Sequence, residues 1–160
     1  MNAELRPFLG ERYQTGFNDC YTLVQRYFSA RFGLELTNYA RPTNWYMLKE
    51  LDFFNKFFAK EGFEDTGCSS NHVRKGDVLL INLLKSPCDN HVAVYVGNNK
   101  ILHHLQGQRS QVEEYSYKWR LRVSKVLRHP IVLMGIESKT ITTLESQLPP
   151  MVRMRIKNER

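Results

Sequence analysis

The sequence predicts an α+β domain in which N-terminal helices pack on a small antiparallel sheet, followed by an extended C-terminal arm. Three observations carry that expectation. Apolar residues recur at helical spacing through the first third of the chain. From Val73 onward the period changes to short apolar runs separated by turn signals. Beyond Pro130 the texture shifts again, to a Ser/Thr-rich, proline-broken and finally basic stretch.

The first element is the helix that opens at Cys20. Leu23, Val24, Tyr27 and Phe28 give it one apolar face, Gly33 is a stop signal, and Asn18 or Asp19 can cap it. A thiol in the first turn faces unpaired backbone amides and the positive end of the helix dipole, which favour the thiolate and lower its pKa. Upstream, residues 1–17 contain Pro7, Gly10 and Gly16 and read as a loop-rich lead-in. Tyr13 lies seven residues before Cys20, where a phenol can donate to a developing oxyanion; the plainer alternative is a ring packed on the helix start. A second helix is expected over residues 44–59, with Trp45, Leu48, Phe54, Phe57 and Phe58 as a core stripe. Residues 60–71 then read as a loop carrying Cys68.

The sheet begins after Lys75-Gly76-Asp77, a turn signal followed by the apolar run 78–84. A polar loop spans 85–90. Residues 91–97 and 100–105 form a hairpin across Asn98-Asn99, two residues that tolerate positive φ. Residues 112–117 are compatible with a further strand or turn, and 123–127 read as the last strand of a small sheet or partial barrel. The domain is therefore expected over 1–130 and the arm over 131–160, the latter too short to bury a core of its own.

Composition narrows the class. At 160 residues, 42% hydrophobic and 12% aromatic, the chain can bury one core. No apolar run approaches the roughly 20 residues of a membrane span, so membrane insertion is not expected. The first ten residues lack the basic-then-apolar pattern of a secretory signal, leaving lysis, a secretion machine or a virus particle as routes out of the cell. Three cysteines imply reduced thiols from a cytosol rather than a disulfide framework. A net charge of +7 predicts attraction to a polyanion such as an anionic envelope, an acidic protein or nucleic acid. The chain lacks a zinc-finger pattern, an RNA-recognition signature and lysine tracts with interleaved aromatics, which sets nucleic acid aside.

Cysteine catalysis needs a thiol, a general base and a third group that holds the base's tautomer. Cys20, His91 and His103 supply all three: His91 opens one strand of the hairpin and His103 lies on the other, with strands about 5 Å apart. His104 is expected on the opposite face from His103. Such chemistry uses no cofactor. A competing reading takes Cys68, His72, Cys88 and His91 as zinc ligands, at a spacing that fits no knuckle type.

Asp19-Cys20 at a helix start, Gly76-Asp77-Val78-Leu79 leading into a strand, and the run from His91-Val92-Ala93-Val94-Tyr95-Val96-Gly97 through Leu102-His103 together resemble the NlpC-type cell-wall peptidases, over roughly residues 12–130. Asp19-Cys20-Tyr21-Thr22-Leu23-Val24 and Leu102-His103-His104-Leu105 look more like the phage-tail branch of that family. The resemblance implies a papain-like fold with Cys20 as nucleophile, His91 as base and His103 as orienting group. It implies hydrolysis of peptidoglycan stem peptides, of the D-glutamyl-diaminopimelate type, and a place at the tail tip of a virion made in the host cytoplasm and acting in the host envelope. It also implies other tail-tip or hub proteins as partners, met through the C-terminal arm. The alternative within the same resemblance is a structural tail-tip protein that uses the fold as a docking module. Family members carry the oxyanion tyrosine farther upstream than Tyr13, at the position where this chain has Phe8.

Overall fold

A computed structural model describes residues 3–135. The chain divides into two units, Met1–His129 and Pro130–Arg160, and the fold below is that of the first. In the second, residues 130–135 are helical; residues 136–160, most of the expected arm, lie outside the described residues.

Helix α1 (Cys20–Phe32) starts and stops where local chemistry dictates. Asp19 is the N-cap: its Oδ1 accepts from the amides of Tyr21 and Thr22, and Thr22 Oγ1 accepts in return from the Asp19 amide at 2.7 Å. This capping box satisfies donors that a helix start otherwise leaves orphaned. At the other end Gly33 takes a left-handed φ of 65°, and the amides of Gly33 and Leu34 close back on Ser29 and Phe28. Tyr21, Leu23, Val24, Tyr27 and Phe28 are all buried, each worth about 1.5–3 kcal/mol relative to exposure.

Six antiparallel strands form one sheet in the order β1-β6-β2-β3-β4-β5. They are β1 (Glu64–Asp65), β2 (Val78–Ile81), β3 (His91–Gly97), β4 (Lys100–His103), β5 (Gln111–Glu114) and β6 (Val123–Arg128). Strand β2 is buried along its whole length, as a central strand covered on both faces must be. Helix α1 packs on β3 and β4. On one face Leu79, Ile81, Ala93, Ile101, Tyr115, Trp119 and Val126 form a single apolar cluster. Asp77, fully buried at the start of β2, receives a forked pair of hydrogen bonds from Arg128 at 2.6 and 2.7 Å, which ties β2 to the end of β6.

The α+β class and the antiparallel sheet agree with the sequence, while several boundaries do not. The expected helix over 44–59 is two pieces, a 3-10 turn (Trp45–Met47) and α2 (Phe53–Lys60). Leu48 is extended and Asp52 takes a φ of 26°, so the chain cannot stay helical between them. Phe54, Phe57 and Phe58 still form the buried stripe, stacked on or edge-on to Tyr21. The strand expected over 78–84 ends at Ile81, because the Asn82 side chain hydrogen-bonds both backbone groups of Ser86 and turns the chain. Three elements of the first unit were not anticipated: a 3-10 helix (Ala3–Phe8) in the stretch read as a loop-rich lead-in, β1, inside a stretch read as loop, and the one-turn helix α3 (Tyr117–Arg120), which buries Trp119. Among the described residues no helix is long and apolar enough to cross a membrane.

Candidate active site

The cap that starts α1 also fixes the thiol. Cys20 is the first helical residue, almost completely buried, and its sulfur accepts from the amide of Val92, the residue after His91 on β3. Asp19, immediately before it, is itself held by four groups: the amides of Gly16, Tyr21 and Thr22, and Arg41 Nη2 at 2.6 Å. Both side chains of this ion pair are less than 5% exposed, at 3% and 4%. Arg41 also donates to the Tyr39 carbonyl and lies 4.9 Å over the Tyr21 ring.

His91 and His103 come together through sheet register. Ala93 faces His103 across β3 and β4, so His91 is the diagonal neighbour of His103 on the same face. Their rings are 5.4 Å apart and edge-on, with His91 Nε2 3.3 Å from His103 Nδ1. That contact leaves His91 Nδ1 as the nitrogen available to a thiol. Trp119 covers the pair, 4.8 Å from the His103 ring and 6.1 Å from that of His91. Behind them Glu113 on β5, a residue the sequence reading did not single out, lies with Oε2 3.1 Å from His103 Nε2. Its strand is polar and half exposed, so no apolar alternation marked it; the only sequence signal was its parity with His103 through a second hairpin.

Cys20 and His91 open into one cleft of about 430 Å³, which Tyr13, Asp19, Arg41, Trp45, Leu83, Asn90 and His104 also line. Tyr13 stands edge-on to His104 at 5.2 Å. Phe8 is instead buried against Tyr27, so of the two upstream aromatics only Tyr13 reaches the cleft. His103 and His104 have different neighbours, but both stand near the site. His103 meets His91 behind the cleft, and His104, one residue beyond the end of β4, lines the cleft wall with Nε2 3.2 Å from the Gln108 carbonyl.

The electrostatics also depart from expectation. The helix start was expected to lower the Cys20 pKa. Instead burial, and then the Asp19 carboxylate beside it, push the thiol up to about 12, against the pull of the Val92 amide and Arg41. Desolvation outweighs the helix dipole because the positive end of the helix is already occupied by Asp19. Burial, then His103 and His104, hold His91 well below the usual imidazole range. His103 is likewise lowered by burial, with Glu113 pulling back. Both shifts run toward the uncharged forms of the two groups, thiol and imidazole. Burial, then Cys20 and Asp19, raise the Tyr13 phenol, which keeps its proton as a donor.

Of the four side chains of the zinc reading, one is exposed and three are separately engaged. Cys68 is exposed, His72 Nδ1 bonds Ser69 at 2.9 Å, Cys88 donates to the Leu48 carbonyl at 3.3 Å, and His91 pairs with His103. Among the described residues no group of three or more His, Cys, Asp or Glu is placed to hold a metal ion.

Against known proteins, a family model described as the NlpC/P60 family matches residues 9–128. Two curated proteins are similar to this chain, each called Tail tip assembly protein K. The one from Escherichia phage lambda is 32% identical over 120 residues, 75% of this chain and 58% of that protein. The one from Escherichia phage N15 is 28% identical over 124 residues, 77% of this chain and 49% of that protein. The chain thus spans about half the length of the curated relatives it matches. A crystal structure of an NLP/P60-family protein from Staphylococcus aureus, described as similar to a lipoprotein, aligns over 78% of this chain and 38% of that one, with a TM-score of 0.52 and 18% identity. That last likeness concerns the fold.

Proposed function

This chain belongs to the NlpC/P60 family, and from that premise we propose that it is a cysteine peptidase of a phage tail that hydrolyses peptidoglycan stem peptides during cell-wall penetration. The observation that carries the reading is the His91–His103 pair at 3.3 Å, opening with Cys20 into one cleft. In this proposal His91 Nδ1 takes the Cys20 proton as the sulfur attacks a peptide carbonyl, because a thiol raised to about 12 is not ionised beforehand. The new C–S bond gives a tetrahedral oxyanion, toward which the Tyr13 hydroxyl, lining the same cleft, is the phenol donor of this proposal. Collapse breaks the C–N bond, and the imidazolium of His91 gives its proton to the departing amine. Water, deprotonated by the same imidazole, then hydrolyses the thioester and restores the thiol. The apolar walls, Trp45, Leu83 and Leu105, alternate with Asn44, Asn90 and Gln108, a lining that suits a peptide with both methyl groups and amides.

Supporting the tail setting is the similarity to two proteins named for tail tip assembly. In this reading the protein resides in the virion, acts in the host envelope, and meets other tail proteins through residues 131–160. Those same names favour a second reading, in which the fold serves assembly and hydrolysis is dispensable. One experiment separates the two. Purified peptidoglycan is incubated with wild-type protein and with Cys20→Ala, both checked for folding by circular dichroism, and released amino groups are counted. Release by the wild type alone is the expected result, with the variant down by at least about a hundredfold; no release by either folded protein gives the lead to assembly.

A further inference from the structure

We propose that Glu113 is a positioning residue that fixes the tautomers of both histidines, through a diagonal row His91, His103, Glu113 running across three strands. The inference rests on the peptidase reading for its consequence, though not for its measurement.

Register places the row. His103 pairs with Ala93, two residues along β3 from His91, and Glu113 pairs with Ile101, two residues along β4 from His103. Each step crosses one strand and advances two residues in the same sense, so all three side chains share a face. The contacts follow: His91 Nε2 to His103 Nδ1 at 3.3 Å, then His103 Nε2 to Glu113 Oε2 at 3.1 Å.

Two imidazoles in contact can hold their protons in either of two orders, and only one leaves a usable base. If His103 donates from Nδ1, His91 Nε2 accepts and its proton sits on Nδ1, where a base is needed. If His103 donates from Nε2, its Nδ1 accepts from His91 Nε2–H, and His91 Nδ1 is left bare. An ionised carboxylate only accepts, so Glu113 imposes the second order. Lys118 Nζ, 3.1 Å from the other carboxylate oxygen, keeps it ionised and oriented. Burial raises the Glu113 pKa, but Lys118, the Trp119 indole N–H and His103 together outweigh it and hold the carboxyl below its usual range. Glu113 does not line the Cys20 cleft; it opens on a separate groove beside Lys118 and Trp119.

Long-range ¹H–¹⁵N correlation on histidine-labelled protein at pH 7.5 tests this directly. Wild type is expected to show the Nε2–H tautomer at both His91 and His103. In Glu113→Gln the shape is kept, Lys118 retains the single amide oxygen, and the NH₂ faces His103; both rings are expected to move to Nδ1–H. Removing the competitor with Lys118→Gln in the same background frees the amide to turn and is expected to restore Nε2–H. On peptidoglycan, Glu113→Gln is expected to lower kcat about a hundredfold with KM unchanged. Wild-type rings already in the Nδ1–H form, or Nε2–H retained in Glu113→Gln, would overturn the inference, as would a double variant that fails to recover. The tautomers are read without substrate. An inactive wild type whose tautomers respond as described therefore removes the peptidase reading alone.

Discussion

A buried charge is expensive, and the pair next to Cys20 shows what compensates for it. Asp19 sits at a helix start, accepts from three amides and meets Arg41 at 2.6 Å. Its carboxylate is doubly served, by the helix and by the guanidinium. Removing one partner leaves the other charge stranded, which in buried pairs costs about 3 kcal/mol or more. Arg41→Met is accordingly expected to lower unfolding stability by about 3 kcal/mol in urea titration. The same substitution removes a charge that pulls the Cys20 pKa down, so iodoacetamide should alkylate the variant thiol more slowly than the wild type at equal pH.

Elements were legible where a local signal also happened to be the tertiary one. The hairpin of β3 and β4 declared itself because Asn98 and Asn99 supply the positive φ values, 52° and 55°, of its turn, and because apolar residues fill the arms between them. Helix α1 was equally plain, with a cap, a stripe and a glycine stop. That glycine offers a clean test: a Cβ at Gly33 would meet nothing within 4 Å, so Gly33→Ala carries only the strain of the left-handed backbone. It is expected to lower the midpoint of thermal unfolding by an amount equivalent to about 1 kcal/mol. The break between the 3-10 turn and α2 was invisible, since Trp45, Leu48 and Phe54 keep helical spacing across a segment whose backbone does not. Residues 112–117 could be read only as a strand or turn, because an edge strand with half-exposed residues has little core to face and gives no apolar alternation, and nothing in it marked Glu113. Cys20 and the histidines could be named from residue types and order, but the sign of the thiol's pKa shift could not: helix polarity is written locally, whereas desolvation is a property of everything packed around it.

At the scale of the whole molecule, burial of imidazoles sets how the fold responds to acid. His91, His103, His104 and His129 all have pKa values below the usual 6.5, with burial the largest cause each time. Below 6.5 the unfolded chain binds protons that the folded one resists, so stability present above that pH is lost as pH falls toward the lowered values. Unfolding midpoints measured from pH 7.5 to 5 should therefore decline, with most of the loss below 6.5. A flat profile would mean that these rings are hydrated in solution.

The order in which the chain is made adds a dimension of time. His91 follows Cys20 by 71 residues and Glu113 by 93. At the pace of synthesis, about 5–20 residues per second, the thiol exists for roughly 4–14 seconds before its imidazole has been polymerised, and longer before the carboxylate has. Nothing in the helix alone pairs it with a base. The nascent chain thus carries an unarmed cysteine, and the ribosome reaches the last member of the diagonal row only 93 residues after it.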